Sequence, residues 1–344
     1  MLTMRTLVTG APGWLGTRLL EVLTDPSHPL QRYASPGPRS IRALVLPGVD
    51  TSSLPQTPSL DIVRGNILDP ASLAKAMEGV TTVIHCVGLI HPKRVRDLFT
   101  VNVEGTRNVL EAASNAGVRR FVYISSNSPA GLNRRRNHLL SESDPARPYM
   151  AYGRSKDLAE KLVRSFHRPG VFETVILRPC WFYGPGMGQP ERQLRFFRMI
   201  QKGNPILFGN GKNLRSMSYL DNTIQAILLA EKTPQAAGQI YWIADTRPYT
   251  TLEVYETIAR LFNTALTPRR IPGLASAICR VVDRVLQAMG LYITEFHVAG
   301  EMDRDIACDI SKARRELGYE PQVSLEEGMR RSLEWARLHQ GFDL

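Results

Sequence analysis

An apolar run over 5–9 ends at a glycine cluster, after which Leu15, Leu19, Leu20 and Leu23 recur at helical spacing. That order predicts strand, tight turn, helix. Further apolar runs at 41–46, 61–64, 80–85 and 121–125 predict strands. A helix ends near Gly79, and an amphipathic one is predicted over 102–113. Strands alternating with helices imply a parallel sheet with right-handed crossovers. Over 271–293 the positions Leu274, Ile278, Val281, Val282, Val285 and Met289 share one helical face, while Arg280, Asp283, Arg284 and Gln287 fall largely on the other. Packing of that apolar face onto the rest of the protein or a subunit neighbour is the expectation, with cover for an apolar substrate or a membrane contact as alternatives.

The chain has 344 residues, more than one ordinary domain, and 43% hydrophobic with 22% charged residues place it among globular proteins. No apolar run approaches the roughly 20 residues of a spanning helix. The first strand begins almost at the N-terminus, leaving no room for a targeting segment, so the cytoplasm is the expected compartment. Cys86, Cys180, Cys279 and Cys308 lie far apart with no C-x-x-C pair; packed thiols are expected rather than disulfides or a metal site. A formal charge of +11 points to an anionic partner. The basic clusters are scattered without interleaved aromatics, which argues against nucleic acid.

Candidate chemistry concentrates at four places. Gly10, Gly13 and Gly16 sit between strand and helix, where glycines permit a tight turn and close approach of a pyrophosphate to the helix N-terminus. Backbone at Cys86, Val87 and Gly88 follows another strand and passes the same cleft. Ser126 stands at a strand mouth, 26 residues before Tyr152. Tyr152 and Lys156, four apart on a helix, share a face, and an adjacent ammonium favours a phenolate. His85 lacks companion ligands and reads as structural. At the end of the second strand Leu46 is neither acid nor base, so the residues leave NAD and NADP open; Arg39 and Arg42 are nearby.

Thr9-Gly-Ala-Pro-Gly-Trp-Leu-Gly16, Asn102-Val-Glu-Gly-Thr-Arg-Asn108, Tyr123-Ile-Ser-Ser126, Tyr152-Gly-Arg-Ser-Lys156 and Arg178-Pro179 through Gly186 together resemble the extended short-chain dehydrogenases/reductases, the NAD-dependent epimerase/dehydratase superfamily. The resemblance continues through 209–222 and 309–321. It implies a Rossmann-type doubly wound α/β fold, with a nucleotide domain over 1–178 to which 209–245 returns, and a smaller substrate-binding part over 179–208 and 246–344. Gly10, Gly13, Trp14, Leu15, Gly16, Asn66, Ile67, Cys86, Val87, Gly88, Asn102 and Pro179 would line the cofactor, NAD being preferred over NADP. Lys156 would hold the nicotinamide ribose and lower the pKa of Tyr152, the proton-transfer residue, with Ser126 on the same substrate oxygen. Arg215, and Arg304 as a second contact, would meet a nucleotide-sugar diphosphate. Relatives often dimerise through helices here placed around 103–113 and 152–165, so a homodimer is expected.

Two departures narrow the reaction. Asn127-Ser128 follows Ser126 where 4,6-dehydratases carry an Asp-Glu pair, which disfavours dehydration. Trp181 stands where many nucleotide-sugar enzymes have an asparagine. The first reading is a nucleotide-diphosphate-sugar epimerase or ketoreductase. The second is a 3β-hydroxysteroid dehydrogenase-like enzyme on an apolar substrate, since 271–293 resembles a helix of that branch. The third is a dinucleotide-binding sensor without turnover. Substrate choice is assigned to loops 89–96, 128–148 and 187–195.

Overall fold

The computed structural model describes residues 4–136, 138–186 and 190–342. The strands are β1 (Met4–Thr9), β2 (Arg39–Val45), β3 (Leu60–Arg64), β4 (Thr82–His85), β5 (Arg120–Ile124), β6 (Glu173–Pro179), β7 (Trp181–Tyr183), β8 (Ile206–Phe208), β9 (Leu214–Arg215), β10 (Met217–Tyr219), β11 (Ile240–Ile243), β12 (Tyr249–Thr250) and β13 (Arg269–Ile271). The α-helices are α1 (Trp14–Thr24), α2 (Pro70–Met77), α3 (Val95–Phe99), α4 (Thr106–Asn115), α5 (Met150–Ser165), α6 (Pro190–Gln201), α7 (Leu220–Lys232), α8 (Thr251–Leu261), α9 (Gly273–Ala288), α10 (Thr294–Glu301), α11 (Ser311–Leu317) and α12 (Leu325–Gln340). Of the substrate loop assigned to 187–195, residues 187–189 lie outside the described residues.

Seven parallel strands form one sheet in the order β11-β6-β5-β4-β1-β2-β3. Its apolar runs are continuous because both faces are covered. In β5, Phe121 and Tyr123 join the core under α2, α4 and α5, while Val122 and Ile124 join the one under α1 and α7. Strand order reverses between β1 and β4, which opens a cleft at their carboxyl ends, the usual ligand position in such sheets. A third core gathers β7, β8, β10, α6, α8 and α12, and Trp14 Nε1 donates to the Pro185 carbonyl at 2.6 Å across the junction.

Two local expectations change. The helix predicted over 102–113 starts earlier: α3 runs through a π-helical turn (Thr100–Gly105) into α4. Burial of Leu98 against Ala151 and Tyr292 holds the added turn. In 271–293 the faces are reversed. Asp283 and Gln287 of α9 are buried, whereas Leu274, Ile278, Val281, Val285 and Met289 are exposed. Polar partners on α5 and α10 claim the polar face, so the apolar stripe is left outside the core.

Beneath the cleft, Glu160 of α5 accepts from Arg178 Nη2 at 2.6 Å and from Ser125 Oγ at 2.5 Å, with both charged side chains buried. Breaking such a pair leaves an uncompensated charge in the interior. Glu160→Ala should therefore destabilise the protein by about 3–5 kcal/mol, read as a lower urea midpoint; a loss below about 1 kcal/mol would contradict this assignment.

Candidate active site

The turn between β1 and α1 is possible only because three backbones cross without side chains. Gly10 has φ +93°, and a Cβ there would lie 2.8 Å from the Cys86 carbonyl carbon. Cβ atoms at Gly13 and Gly16 would lie 2.6 and 2.5 Å from the Gly10 carbonyl oxygen. The first turn of α1 has no acidic residue and no side-chain cap, leaving its N–H groups facing the cleft. Leu15 packs on the core beneath. Trp14 leans on Phe182, ring centroids 6.1 Å apart.

In the turn after β3, Asn66 Oδ1 accepts from Leu68 N at 2.9 Å, so its side chain shapes its own turn. Ile67 is buried against Gly105, and its carbonyl accepts from Asn108 Nδ2 at 2.9 Å. Arg39 pairs with Glu231 at 2.9 Å, and Arg42 donates to Asp61 and to carbonyls at the end of α2. Neither is available to a ribose phosphate. Arg64, at the end of β3, donates to the Leu46 and Val49 carbonyls.

Gly153 brings Tyr152 and Ser126 together. A Cβ on it would lie 2.6 Å from the Ser128 carbonyl oxygen, so α5 presses on the backbone after β5. The Ser126 hydroxyl lies close enough to Tyr152 to favour its phenolate, which partly offsets the burial that pushes Tyr152 up to about 12. Lys156 is not among the groups that shift Tyr152 in the cofactor-free protein. Its Nζ donates to the Ile124 carbonyl at 2.8 Å and sits 4.3 Å from the centre of the Tyr123 ring. Gly88 passes close, its would-be Cβ 3.8 Å from that Nζ.

Asn102, in the π-helical turn, exchanges two hydrogen bonds with Leu89 and donates to Ser155 Oγ at 3.0 Å. It thus braces the 85–89 turn against α5. His85 is fully buried, bonded to Thr9 Oγ1 at 2.7 Å and Thr106 Oγ1 at 3.1 Å, and burial lowers its pKa to about 3. Pro179 ends β6 opposite Ile243.

On the substrate side the structure unites Arg215 and Trp181, the guanidinium lying 4.0 Å from the ring centre. Arg215 Nη2 donates to the Glu301 carbonyl at 2.8 Å, whereas its buried Nε and Nη1 have no partner among the described residues. Burial lowers its pKa to about 10, opposed first by the Glu301 carboxylate. Arg304 does not join this group: its side chain is exposed and its carbonyl accepts from Asn213.

A buried cluster that sequence reasoning missed completes the wall. His297 Nδ1 lies 2.9 Å from Asp283 Oδ2, and Gln287 Nε2 donates to Asp283 Oδ1 at 2.8 Å. Gln287 Oε1 accepts from Ala151 N at 2.9 Å, at the start of the helix carrying Tyr152. Tyr149 and Tyr292 pack on the His297 ring. Glu301, its carboxyl pKa raised by burial, acts on both Arg215 and Tyr152. The signal was the polar spacing of Asp283 and Gln287 in α9, which reads as a solvated face until its partners are known.

Burial lowers Lys156 from 10.5 to about 7. Between those values the unfolded chain holds a proton that the folded protein lacks, so stability rises with pH. Cys86, raised by burial from 9.0, acts oppositely above pH 9. The urea midpoint of the cofactor-free protein should rise from pH 7 to 9, and Lys156→Met should flatten that rise; an equal slope in the variant would refute this assignment.

The sequence profile of the NAD dependent epimerase/dehydratase family matches residues 6–244. The chain is 41% identical to the uncharacterized protein y4nL of Sinorhizobium fredii (strain NBRC 101917 / NGR234), over 96% of this chain and 94% of that one. It is 30% identical to a 3 beta-hydroxysteroid dehydrogenase/Delta 5-->4-isomerase of Mycobacterium tuberculosis (strain ATCC 25618 / H37Rv), over 94% and 88%. Among solved structures, DesIV, a dTDP-glucose 4,6-dehydratase from Streptomyces venezuelae with NAD and TYD bound, superposes with TM-score 0.77 at 26% identity, covering 98% of each chain. With its sheet order, glycine turn and near full-length match to such relatives, this chain belongs to the NAD dependent epimerase/dehydratase family, enzymes of the extended short-chain type.

Proposed function

We propose that this enzyme uses NAD to oxidise a secondary hydroxyl, or reduce the corresponding carbonyl, with Ser126, Tyr152 and Lys156 at the reacting centre. The observation that carries the reading is the convergence of the Ser126 hydroxyl on Tyr152 at the mouth of β5, beside the buried Lys156 amine. The glycine cradle, which any Cβ would fill, suits a pyrophosphate. The commitment of Arg39 and Arg42 to ion pairs supports NAD over NADP. When bound, the nicotinamide accepts or returns the hydride.

In the reducing direction the protonated Tyr152 donates its proton to the carbonyl oxygen while Ser126 steadies that oxygen; oxidation reverses both transfers. Lys156 lies at the same strand mouth, placed to hold the ribose. Ser126 is followed by Asn127 and Ser128, which hydrogen-bond back to it and supply no carboxylate, so the reading is hydroxyl oxidation, reduction or epimerisation rather than elimination.

The unpartnered Arg215 nitrogens favour an anionic substrate of the nucleotide-diphosphate-sugar class, since a guanidinium fork matches phosphate oxygens. A second reading, an apolar alcohol, rests on the Glu301 carboxylate beside Arg215 and on the apolar surroundings of Tyr152, which packs with Val95 and Phe99 against a cluster of Leu98, Ala151 and Tyr292.

Tyr152→Phe should lower kcat by about 10²–10⁴-fold and leave NAD affinity unchanged; a fully active variant would sink the mechanism. Turnover of UDP- and dTDP-sugars and of hydroxysteroids, followed by nicotinamide absorbance and NMR, separates the substrate readings. If the sugar reading holds, Arg215→Gln should raise KM roughly tenfold or more with a smaller change in kcat. Oxidation of the steroids alone, unaffected by that substitution, would select the apolar alcohol.

A further inference from the structure

Helix α9 turns its polar side inward and its apolar side outward. Ser276, Asp283 and Gln287 are buried, whereas Leu274 and Met289 are 71% and 69% exposed, and Ile278, Val281 and Val285 are each more than half exposed. These five positions form one stripe, roughly 22 Å long at 1.5 Å per residue. Leu291 and Ile293 extend it and are also exposed.

Charge says what covers this face. The single carboxylate of α9, Asp283, is wholly buried. Exposed cations lie at both ends and in the middle: Arg269 and Arg270 precede the helix, Arg284 lies within it, and Lys93 and Arg94 flank its end. The latter two are fixed there by hydrogen bonds from Tyr292 N to the Lys93 carbonyl and from Val95 N to the Gly290 carbonyl, at 3.1 and 2.9 Å. Arg94 is paired with Asp97, and Glu295 of α10 is an exposed acid nearby, so the rim is basic in balance rather than purely cationic. A second copy of the chain would set this basic rim against itself in a molecule already at +11. Anionic headgroups complement the rim while acyl chains receive the stripe.

We propose that the outer face of α9 docks the enzyme on an anionic lipid surface, lying flat in the interface. No helix among the described residues is long and apolar enough to cross a membrane, so the contact is peripheral. The inner face of the same helix holds the start of α5 through Gln287, which puts the active site directly behind the docked surface. The inference concerns where the enzyme works and stands apart from the choice of substrate.

The test is co-sedimentation of the full chain with phosphatidylcholine vesicles and with vesicles containing about a third phosphatidylglycerol, alongside light scattering without lipid. Binding to the anionic vesicles, weakened by salt, is expected, with little to the neutral ones. Val281→Asp with Val285→Asp should lower the partition at least about tenfold, with circular dichroism unchanged. Absence of binding to anionic vesicles, or undiminished binding by the double variant, would overturn the proposal. So would a wild-type dimer that the double variant turns into monomer, since α9 would then be a subunit interface.

Discussion

Everything in the cleft depends on backbone meeting backbone where no side chain fits. Gly16 stands over the Gly10 carbonyl, Gly10 against Cys86, and Gly153 against the carbonyl of Ser128. The first two contacts lock α1 to the switch point between β1 and β4. The third presses α5 onto the end of β5, so that a serine and a tyrosine from different elements come together. A methyl group at any of these crossings would force apart elements whose positions define the site.

Around those crossings the interior is charged where the chemistry needs charge, and each charge has a structural reason to be there. Glu160 with Arg178 neutralises the ground beneath the cleft, and Lys156 donates a hydrogen bond to a strand carbonyl. Tyr152 stays protonated because burial disfavours its phenolate and Ser126 offsets only part of that cost. In the proposed reaction the protein alone thus keeps Tyr152 ready as proton donor, and a bound nicotinamide and ribose would complete the field around it.

The substrate wall couples distant segments. Asp283, Gln287 and His297 tie α9 and α10 to the first turn of α5, and Glu301 stands between the influence of Arg215 and that of Tyr152. The proposed substrate contact and the proposed proton donor therefore feel the same carboxylate. Because these groups belong to the same helical pair whose outer face is apolar, what lies outside α9 and what reacts inside it are mechanically adjacent.

Local pattern was enough for the strand and helix order, the glycine turn and the placement of Ser126, Tyr152 and Lys156 at strand ends and on a helix, since each depends on spacing within a few residues. Arg215 and Trp181, which the fold stacks together, were marked by the family resemblance and not by local pattern. The early start of the helix at Val95 and the π-helical turn at Asn102 escaped it, because both are held by contacts with α5 and Tyr292 far along the chain. Tertiary structure alone decided that Arg39 and Arg42 serve ion pairs and that Arg304 faces solvent. It alone reversed α9. The amphipathic period of that helix is written in the residues, but which side is inside depends on Ala151 and His297 offering polar partners at a price solvent could not match.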